Sequence, residues 1–336
     1  MAKVSVIGAG SWGTALAVLL HGNGHEVTVW SFSQAEIDML TGEREQKDKL
    51  PGVRVPEDIV ITGDMEEAVK GKEVVVIAVP SPAIRSTARK CAPFATEGQI
   101  FVDVAKGIEE DTLMTMTQII AEEIPQANVA VLSGPSHAEE VGRGIPTTIV
   151  VGAKDKHTAV YLQNIFMTEK FRVYISSDMI GIELGGALKN VVALAAGAAD
   201  GLGYGDNTKA ALITRGIAEI SRLGIAMGGH YETFCGLTGM GDLIVTCASK
   251  HSRNRKAGFL IGQGYSYQEA MDEVKMVVEG VYSAKAAIAL GRKYQVSLPI
   301  IEKVNAVLFE GMSAADAVKE LMLRDKTIEH SLVDWE

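Results

Sequence analysis

Three glycines near the N-terminus have the spacing of a phosphate-binding turn. The run Gly8-Ala9-Gly10-Ser11-Trp12-Gly13 fits the pattern G-x-G-x-x-G and lies between a predicted strand and a predicted helix. The first glycine makes the tight bend, the second lets the backbone approach a pyrophosphate, and the third lets the helix pack closely on the strand. N–H groups at the helix start then face the ligand's negative charge. The context predicts a dinucleotide site, although a ligand-free strand–helix turn would share the pattern.

The end of the second predicted strand bears on which dinucleotide binds. Sites that prefer NAD usually place Asp or Glu there, and that carboxylate holds the ribose 2′-hydroxyl. This chain instead reads Trp30-Ser31-Phe32-Ser33. The missing acid removes a repulsion against the 2′-phosphate of NADP, and two serines can donate hydrogen bonds to it, but no adjacent Arg adds positive charge. The sequence therefore favours NADP slightly and leaves NAD open.

The elements that position this turn alternate along the first half of the chain. Short runs rich in β-branched residues are apolar on both faces, which is typical of buried parallel strands. The predicted strands are Val4–Ile7, Val27–Trp30, Val74–Val79, Ile100–Val104, Val129–Leu132 and Thr147–Val151. The predicted helices are Trp12–His21, Gln34–Leu40, Met65–Lys70, Pro82–Ala92 and Asp111–Glu123. Such alternation predicts an α/β fold with a Rossmann-type doubly wound sheet and right-handed crossovers.

The second half of the chain has a different pattern. After about Asp178 the strand-like runs nearly vanish, and Gly181–Ala199 is apolar almost all round, as a central buried helix would be. A length of 336 residues also favours two domains. We expect a dinucleotide-binding Rossmann domain at residues 1–180 and an all-helical substrate-binding domain at residues 181–336. The acidic stretch Ser331–Glu336 carries no motif and is expected to be mobile.

Composition excludes several classes of function. The formal charge of −10, from 42 acidic and 32 basic residues, repels nucleic acid but leaves room for a small anionic ligand at a local basic cluster. The uncharged run Val4–Leu20 is interrupted by three glycines, so we interpret it as strand, turn and helix and expect no membrane insertion. We expect reduced cysteines and a cytoplasmic protein, because Cys91, Cys235 and Cys247 are far apart. The seven histidines show no metal-binding spacing, and we expect no metal.

Five segments along the chain form a specific set in this order and spacing. They are the glycine turn continuing to Ala15, Ala105-Lys106-Gly107-Ile108, Ser133-Gly134-Pro135-Ser136-His137-Ala138-Glu139-Glu140, Gly185-Gly186-Ala187-Leu188-Lys189-Asn190, and Gly239-Met240-Gly241-Asp242-Leu243 with Ser252-Arg253-Asn254-Arg255. Together they resemble bacterial NAD(P)-dependent glycerol-3-phosphate dehydrogenase over nearly the entire chain. The resemblance implies a fold like that of 6-phosphogluconate dehydrogenase. It also implies interconversion of dihydroxyacetone phosphate and sn-glycerol 3-phosphate, which supplies the backbone of glycerophospholipids. A homodimer is the expectation from base rates alone.

The resemblance implies that Lys189 is the catalytic proton donor and also contacts the substrate. A lysine inside an apolar helix loses hydration, which lowers its pKa and brings proton transfer within reach near neutral pH. The alternative is an ammonium that extends along the helix to solvent.

Further roles are implied for residues at strand ends and helix starts. Lys106 would contact both substrate and cofactor at the carboxyl edge of the sheet, where an exposed loop lysine is the alternative. Arg253 would do the same, as the forked donor of a phosphate-binding segment that could otherwise be a solvated helix start. The other implied substrate-binding residues are Gly134, Ser136, Asn190, Asp242, Thr246, Ser252 and Asn254. Capping turns are the alternative for Ser136 and Asp242.

The other cofactor residues implied by the resemblance lie in three places. Beside the turn residues Gly8, Gly10, Ser11, Trp12 and Gly13 they are Ala138, Val277 and Glu279. Phe32 departs from the family, whose members often carry His or Arg at this position beside the adenosine ribose. The resemblance implies no role for His137.

Two other functions remain as alternatives. A hydroxyacid or 6-phosphogluconate dehydrogenase also pairs a Rossmann domain with a helical domain and a catalytic lysine. A nucleotide-sensing binding protein could keep the fold without the chemistry. Lys106, Lys189, Asp242 and Arg253 argue against the sensor, because a sensor needs no proton donor facing a phosphate-binding group.

Overall fold

A computed structural model describes residues 1–329 of the chain. Its eight strands form one sheet in the order β3-β2-β1-β4-β5-β6-β7-β8. The strands are β1 Lys3–Ile7, β2 Glu26–Trp30, β3 Val60–Thr62, β4 Val74–Ile77, β5 Ile100–Asp103, β6 Asn128–Ser133, β7 Thr147–Ala153 and β8 Phe171–Ser176. The Rossmann-type sheet expected from the alternating pattern is confirmed, and all six predicted strands are present. The predicted mobile segment Ser331–Glu336 lies outside the described residues.

One predicted strand direction is wrong. β7 runs antiparallel to β6, although β7 and β8 are parallel to each other. The helix between β6 and β7, Ala138–Gly142, has only 5 residues. At ~1.5 Å per residue it is too short to carry the chain back along the sheet for a parallel crossover.

Two strands were not predicted, and both lie at sheet edges. β3 has only 3 residues. β8 alternates between buried positions such as Phe171 and Val173 and exposed ones such as Arg172 and Tyr174. An edge strand with one solvent-facing side lacks the continuous apolar run that identifies the central strands.

Helices cover the sheet; strands β1 to β6 end at one edge, whereas β7 and β8 run in the opposite direction. The sheet half contains α1 Ser11–Gly22, α2 Gln34–Gly42, α3 Met65–Val69, α4 Ile84–Cys91, α5 Met116–Glu123, α6 Ala138–Gly142 and α7 Lys156–Phe166, with 3₁₀ turns at Ser81–Ala83 and Ala92–Phe94. The predicted helix start at Asp111 is wrong. Thr115 and Gln118 form a capping box that begins α5 at Met116.

The rest of the described chain is helical, as predicted. It contains α8 Met179–Gly201, α9 Asp206–Ala226, α10 Tyr231–Cys235, α11 Asp242–Ala248, α12 Arg253–Gly262, α13 Tyr267–Val274, α14 Glu279–Tyr294, α15 Pro299–Phe309 and α16 Ala314–Met322, with a π-helical turn at Leu237–Gly241. α8 is the central helix, and aliphatic side chains of α9, α11, α14 and α15 pack around it. α12 lies against α8 because Gly197 and Gly258 leave room for backbone contact; a Cβ on either would overlap a backbone carbonyl of the other helix. This approach brings the start of α12 near the middle of α8.

α8 also bears on the question of a membrane span. Among residues 1–329 it is the one helix long and apolar enough to cross a membrane, and 83% of its apolar window is buried inside the protein. Its hydrophobicity is therefore explained by its place in the core.

Candidate active site

The glycine turn joins β1 to α1 with very little space to spare. Gly8 has a φ of 121°, and a Cβ there would lie 2.7 Å from the carbonyl oxygen of Ala78. A Cβ on Gly13 would overlap the carbonyl oxygen of Gly8. Gly10 differs, because a Cβ there would meet no protein atom within 4 Å. Two of the glycines are thus required by packing, and the third faces open space.

The start of α1 fits the pyrophosphate of a dinucleotide. Gly10 caps the helix without a side-chain hydrogen bond, and Ser11 and Trp12 follow in its first turn, partly exposed. Within residues 1–329 the N–H groups of Ser11, Trp12 and Gly13 donate no backbone hydrogen bond. Free N–H groups at a helix N-terminus beside open space are what a pyrophosphate needs.

An acid that the sequence pattern missed lies beside the end of β2. Glu36, in the first turn of α2, accepts a hydrogen bond of 2.6 Å from the hydroxyl of Ser31 and forms an ion pair with Lys49. Phe32 is 83% exposed. A carboxylate does therefore lie beside the strand end, but a lysine offsets its charge.

Lys189 lies in the middle of α8 and does not reach solvent. Its side chain is 6% exposed, and its ammonium group donates hydrogen bonds to Asp242 Oδ1 and, at 2.7 Å, to Thr246 Oγ1. Asp242 and Thr246 are one turn apart on α11 and face α8 together. The solvent-exposed alternative for this lysine is wrong.

Asp242 also binds a second lysine, from the sheet half. Its Oδ2 accepts a hydrogen bond of 2.7 Å from Lys106 Nζ, which also donates to the carbonyl oxygen of Gly134 at 2.9 Å. Asp242 is the first residue of α11 and its side chain makes no capping hydrogen bond, so the capping alternative is wrong for it. Gly185 lets α8 approach within contact of Thr238 in the π-helical turn, which sets Asp242 opposite Lys189.

Burial and charge set the protonation of this cluster. Burial lowers the pKa of Lys189 to about 7. The charge of Asp242 raises this pKa and the like charge of Lys106 lowers it, but burial has the largest effect. Burial alone would raise the pKa of Asp242, but the charges of Lys106 and Lys189 outweigh it and hold that pKa below its ordinary value. Lys189 is thus suited to gain or lose a proton near neutral pH while Asp242 stays ionised.

A chain of amides connects α8 to the helices beside it. Asn254 Nδ2 donates to Asn190 Oδ1 at 2.9 Å, and Asn254 Oδ1 accepts from the N–H of Gly280 at 2.9 Å. Ser252 caps α12, because its hydroxyl oxygen accepts a hydrogen bond of 3.1 Å from the N–H of Arg255. This agrees with the alternative interpretation of the segment as a helix start. Asn190 and Asn254 are both buried, so the network holds the start of α12 next to Lys189.

The remaining predicted residues lie around the cluster with different exposure. Glu279, half-buried at the start of α14, accepts hydrogen bonds from the N–H and hydroxyl of Ser81, which follows β4. Burial raises the pKa of Glu279, while Ser81 and the charge of Arg253 lower it. Arg253 is exposed at the start of α12, with its charge close to Glu279. Glu279 thus joins the start of α14 to the sheet edge where β4 ends, and the charge of Arg253 acts on it.

Three predicted residues make few side-chain contacts. Ser136 donates to the carbonyl oxygen of Gly134 at 2.9 Å. Ala138 is buried at the first position of α6, and Val277 is half-buried in the connection before α14. Neither has a side chain that can hydrogen-bond.

Some contacts of the site have no local signal in the sequence. Ser81 and Glu279 are 198 residues apart in the chain, and no local pattern pairs them. His137 packs against His251 and was assigned no role. The one available signal was position, because Ser81 and His137 both follow predicted strands at the carboxyl edge.

Comparisons with known proteins match the whole chain. A family model described as the N-terminus of NAD-dependent glycerol-3-phosphate dehydrogenase matches residues 3–159, and the model of its C-terminus matches residues 178–319. The glycerol-3-phosphate dehydrogenase [NAD(P)+] of Agathobacter rectalis is 64% identical over 335 residues, covering 100% of both chains. That of Fusobacterium nucleatum is also 64% identical, over 98% of this chain and 99% of the relative.

A solved structure agrees with the sequence relatives. The crystal structure of a glycerol-3-phosphate dehydrogenase from Coxiella burnetii superposes with a TM-score of 0.93 at 35% identity. The match covers 96% of this chain and 99% of that one.

Proposed function

We propose, since this chain belongs to the NAD-dependent glycerol-3-phosphate dehydrogenase family, that Lys189 exchanges the proton as the enzyme interconverts dihydroxyacetone phosphate and sn-glycerol 3-phosphate with NAD(P). One observation carries the proposal: Lys189 is buried, has a pKa of about 7, and shares Asp242 with Lys106 at the sheet edge. A group near neutrality can serve as acid in reduction and base in oxidation.

The proton and the hydride have separate sources. When bound, the reduced nicotinamide supplies the hydride to C2 of dihydroxyacetone phosphate. The ammonium of Lys189 gives a proton to the oxygen on C2, and the resulting amine takes it back in the reverse reaction. Asp242 and Thr246 hold the amine in place and leave one N–H of Lys189 for the substrate.

Positive charge from both halves of the chain offsets the substrate's phosphate. In this proposal Arg253 is the forked phosphate donor, and Lys106 contacts both substrate and cofactor. Neutral hydrogen bonds come from Ser252, Asn254 and Asn190, and the loop of Gly134 and Ser136 borders the substrate.

The cofactor is assigned to the glycine turn and its surroundings. The free N–H groups of Ser11, Trp12 and Gly13 would hold the pyrophosphate, with Gly10 leaving space for it. Ala138, Val277 and Glu279 complete the cofactor contacts, together with Lys106 and Arg253. We propose a slight preference for NADP(H), because Lys49 already offsets the charge of Glu36.

Organisation and location are further proposals. We place the division between the dinucleotide-binding and substrate-binding domains near residue 180, between the end of β8 and the first turn of α8. A homodimer is proposed from base rates. Cytoplasmic location fits the free thiols of Cys91, Cys235 and Cys247. A role in glycerophospholipid synthesis follows from the proposed product, sn-glycerol 3-phosphate.

A spectrophotometric assay tests the function. When dihydroxyacetone phosphate is added to purified enzyme, the absorbance of the reduced nicotinamide at about 340 nm should fall, both with NADH and with NADPH. Hydroxyacids and 6-phosphogluconate should give no turnover with NAD(P)+. Turnover of those substrates alone would point to the other dehydrogenases, and cofactor binding without any turnover would point to a sensor.

A further inference from the structure

His137 is the residue of the Gly134–Ala138 loop whose side chain enters the site without an assigned role. It immediately precedes α6, and its ring packs against the ring of His251, with centroids 5.8 Å apart and planes at 54°. His251 immediately precedes Ser252 and Arg253 in the chain. The ring of His137 therefore lies between the sheet half and the start of α12.

One nitrogen of His137 is buried without a partner. Nε2 is shielded from solvent and has no hydrogen-bond partner among residues 1–329. Most buried polar atoms in folded proteins are paired, since leaving one unpaired costs free energy. An unpaired nitrogen beside a binding site is explained if a ligand supplies the partner.

The charges around His137 suit an anionic ligand. Burial lowers its pKa, the ammonium groups of Lys189 and Lys106 lower it further, and Glu139 and Asp242 raise it. The imidazole is thus neutral near pH 7, with one ring N–H to donate. It can donate to an anionic oxygen without adding a third positive charge beside the two lysines.

We infer that His137 is a substrate-binding residue whose Nε2–H donates a hydrogen bond to a phosphate oxygen of the bound substrate. The phosphate end is chosen because His251, on which the ring packs, adjoins the proposed phosphate donors Ser252 and Arg253. The inference rests on the proposed function and adds a neutral donor from the sheet half to a phosphate site otherwise built by α12.

Substitution of His137 tests this contact. His137→Phe keeps an aromatic ring against His251 and removes both nitrogens, whereas His137→Gln restores an N–H at similar reach. We expect the Phe variant to raise both the KM for dihydroxyacetone phosphate and the inhibition constant of inorganic phosphate by about tenfold. kcat and the KM for NADPH should not change, and the Gln variant should recover most of the loss. His157→Phe, on an exposed position of α7, is the matched control.

Thermal midpoints distinguish a contact from a packing role. If His137→Phe lowers the thermal midpoint, the KM for dihydroxyacetone phosphate and the inhibition constant of inorganic phosphate are measured for His137→Ala instead, and these two constants decide whether His137 contacts the phosphate. Unchanged constants in a folded variant overturn the inference, and so does a raised KM with an unchanged inhibition constant for phosphate. Failure of the wild-type enzyme to oxidise NADPH with dihydroxyacetone phosphate is a separate result, because it refutes the proposed function before any variant is measured.

Discussion

At the scale of single residues, one carboxylate serves two lysines that come from different halves of the chain. Asp242 lies between Lys189 on α8 and Lys106 after β5, and all three are largely shielded from water. In such surroundings the proton affinity of one group depends on the charge of the others. The protonation of Lys189 should therefore respond strongly to a change at Asp242.

Asp242→Asn should change the pH dependence of reduction. Reduction needs the protonated form of Lys189, so its rate falls as pH rises through the pKa of about 7. Removing the negative charge of Asp242 lowers that pKa, and the fall should move to lower pH by about one unit or more. Oxidation, which needs the neutral amine, should extend to lower pH. The measurement is kcat against pH in both directions.

The control for this prediction is another carboxylate shared by two cations. Asp200 pairs with Lys209 and Arg255 in the helical half. Asp200→Asn should leave the pH profile in place. If the pH profile of Asp242→Asn is unchanged or moves to higher pH, the charge of Asp242 does not raise the pKa of Lys189 and the prediction is refuted.

The sequence predicted individual residues of the cluster better than their partners. The family resemblance favoured a buried Lys189 over an ammonium extended to solvent, and the position of Lys106 followed from the strand before it. Pairings such as Ser81 with Glu279 depend on how α14 packs against the end of β4. Contacts between residues so distant in the chain have no local signature, which is why Ser81 was missed. Glu36 was missed because it lies in the first turn of α2, after the strand end where the pattern expects the acid.

At the scale of elements, the glycine turn makes a prediction that separates folding from binding. Gly13→Ala forces a Cβ against the carbonyl of Gly8, so it should destabilise the protein by about 1–3 kcal/mol. Gly10→Ala meets no protein atom and should leave the thermal midpoint close to that of the wild type. Both should weaken NADPH binding, measured by fluorescence titration. Normal binding by Gly10→Ala would mean that the cofactor does not use this space.

The turn between β2 and α2 should affect the choice of cofactor. Glu36→Gln removes a negative charge beside Ser31 and frees the charge of Lys49. The KM for NADPH relative to that for NADH should fall by about two- to fivefold. Glu66→Gln, which breaks the exposed pair with Lys70 on α3, is the matched control and should not change the ratio. A ratio that also stays constant in Glu36→Gln would place the 2′-phosphate elsewhere.

Element types were easier to predict than element directions. Central strands and α8 are continuous apolar runs, which the sequence displays directly. The antiparallel direction of β7 follows from the shortness of α6, and α6 was not predicted. The edge strands β3 and β8 expose one face and carry a weaker signal.

At the scale of the whole molecule, stability should depend on a buried acid that is not part of the site. Glu219 on α9 accepts hydrogen bonds from the N–H groups of Ile300 and Ile301 at the start of α15, and burial raises its pKa to about 7. Between roughly pH 5 and 7, the carboxyl group of Glu219 therefore keeps its proton in the folded protein and loses it in the unfolded chain. The free energy of unfolding should therefore fall as pH rises through this range.

Glu219→Gln removes that dependence. The free energy of unfolding of the variant, relative to that of the wild type, should rise by up to about 3 kcal/mol from pH 5 to pH 8. Urea unfolding at each pH measures this difference. Glu232→Gln, on an exposed position of α10, should show no such change. A difference that does not vary with pH would show that Glu219 is ionised throughout.

The two halves of the chain contribute jointly to the site. Lys106, Ser81 and the glycine turn come from the sheet, and Lys189, Asp242 and Glu279 from the helical half. Four of the five segments that carry the family resemblance lie at element ends, and the fifth, with Lys189, lies in the middle of α8.

Lys189→Met gives the most direct test of the proposed chemistry. The variant should bind NADPH with unchanged affinity while kcat for dihydroxyacetone phosphate falls by about 10²–10⁴-fold. Lys256→Met, exposed on α12, should retain normal turnover. A Lys189→Met enzyme with near-normal kcat would contradict the account, because the proton would then come from another group.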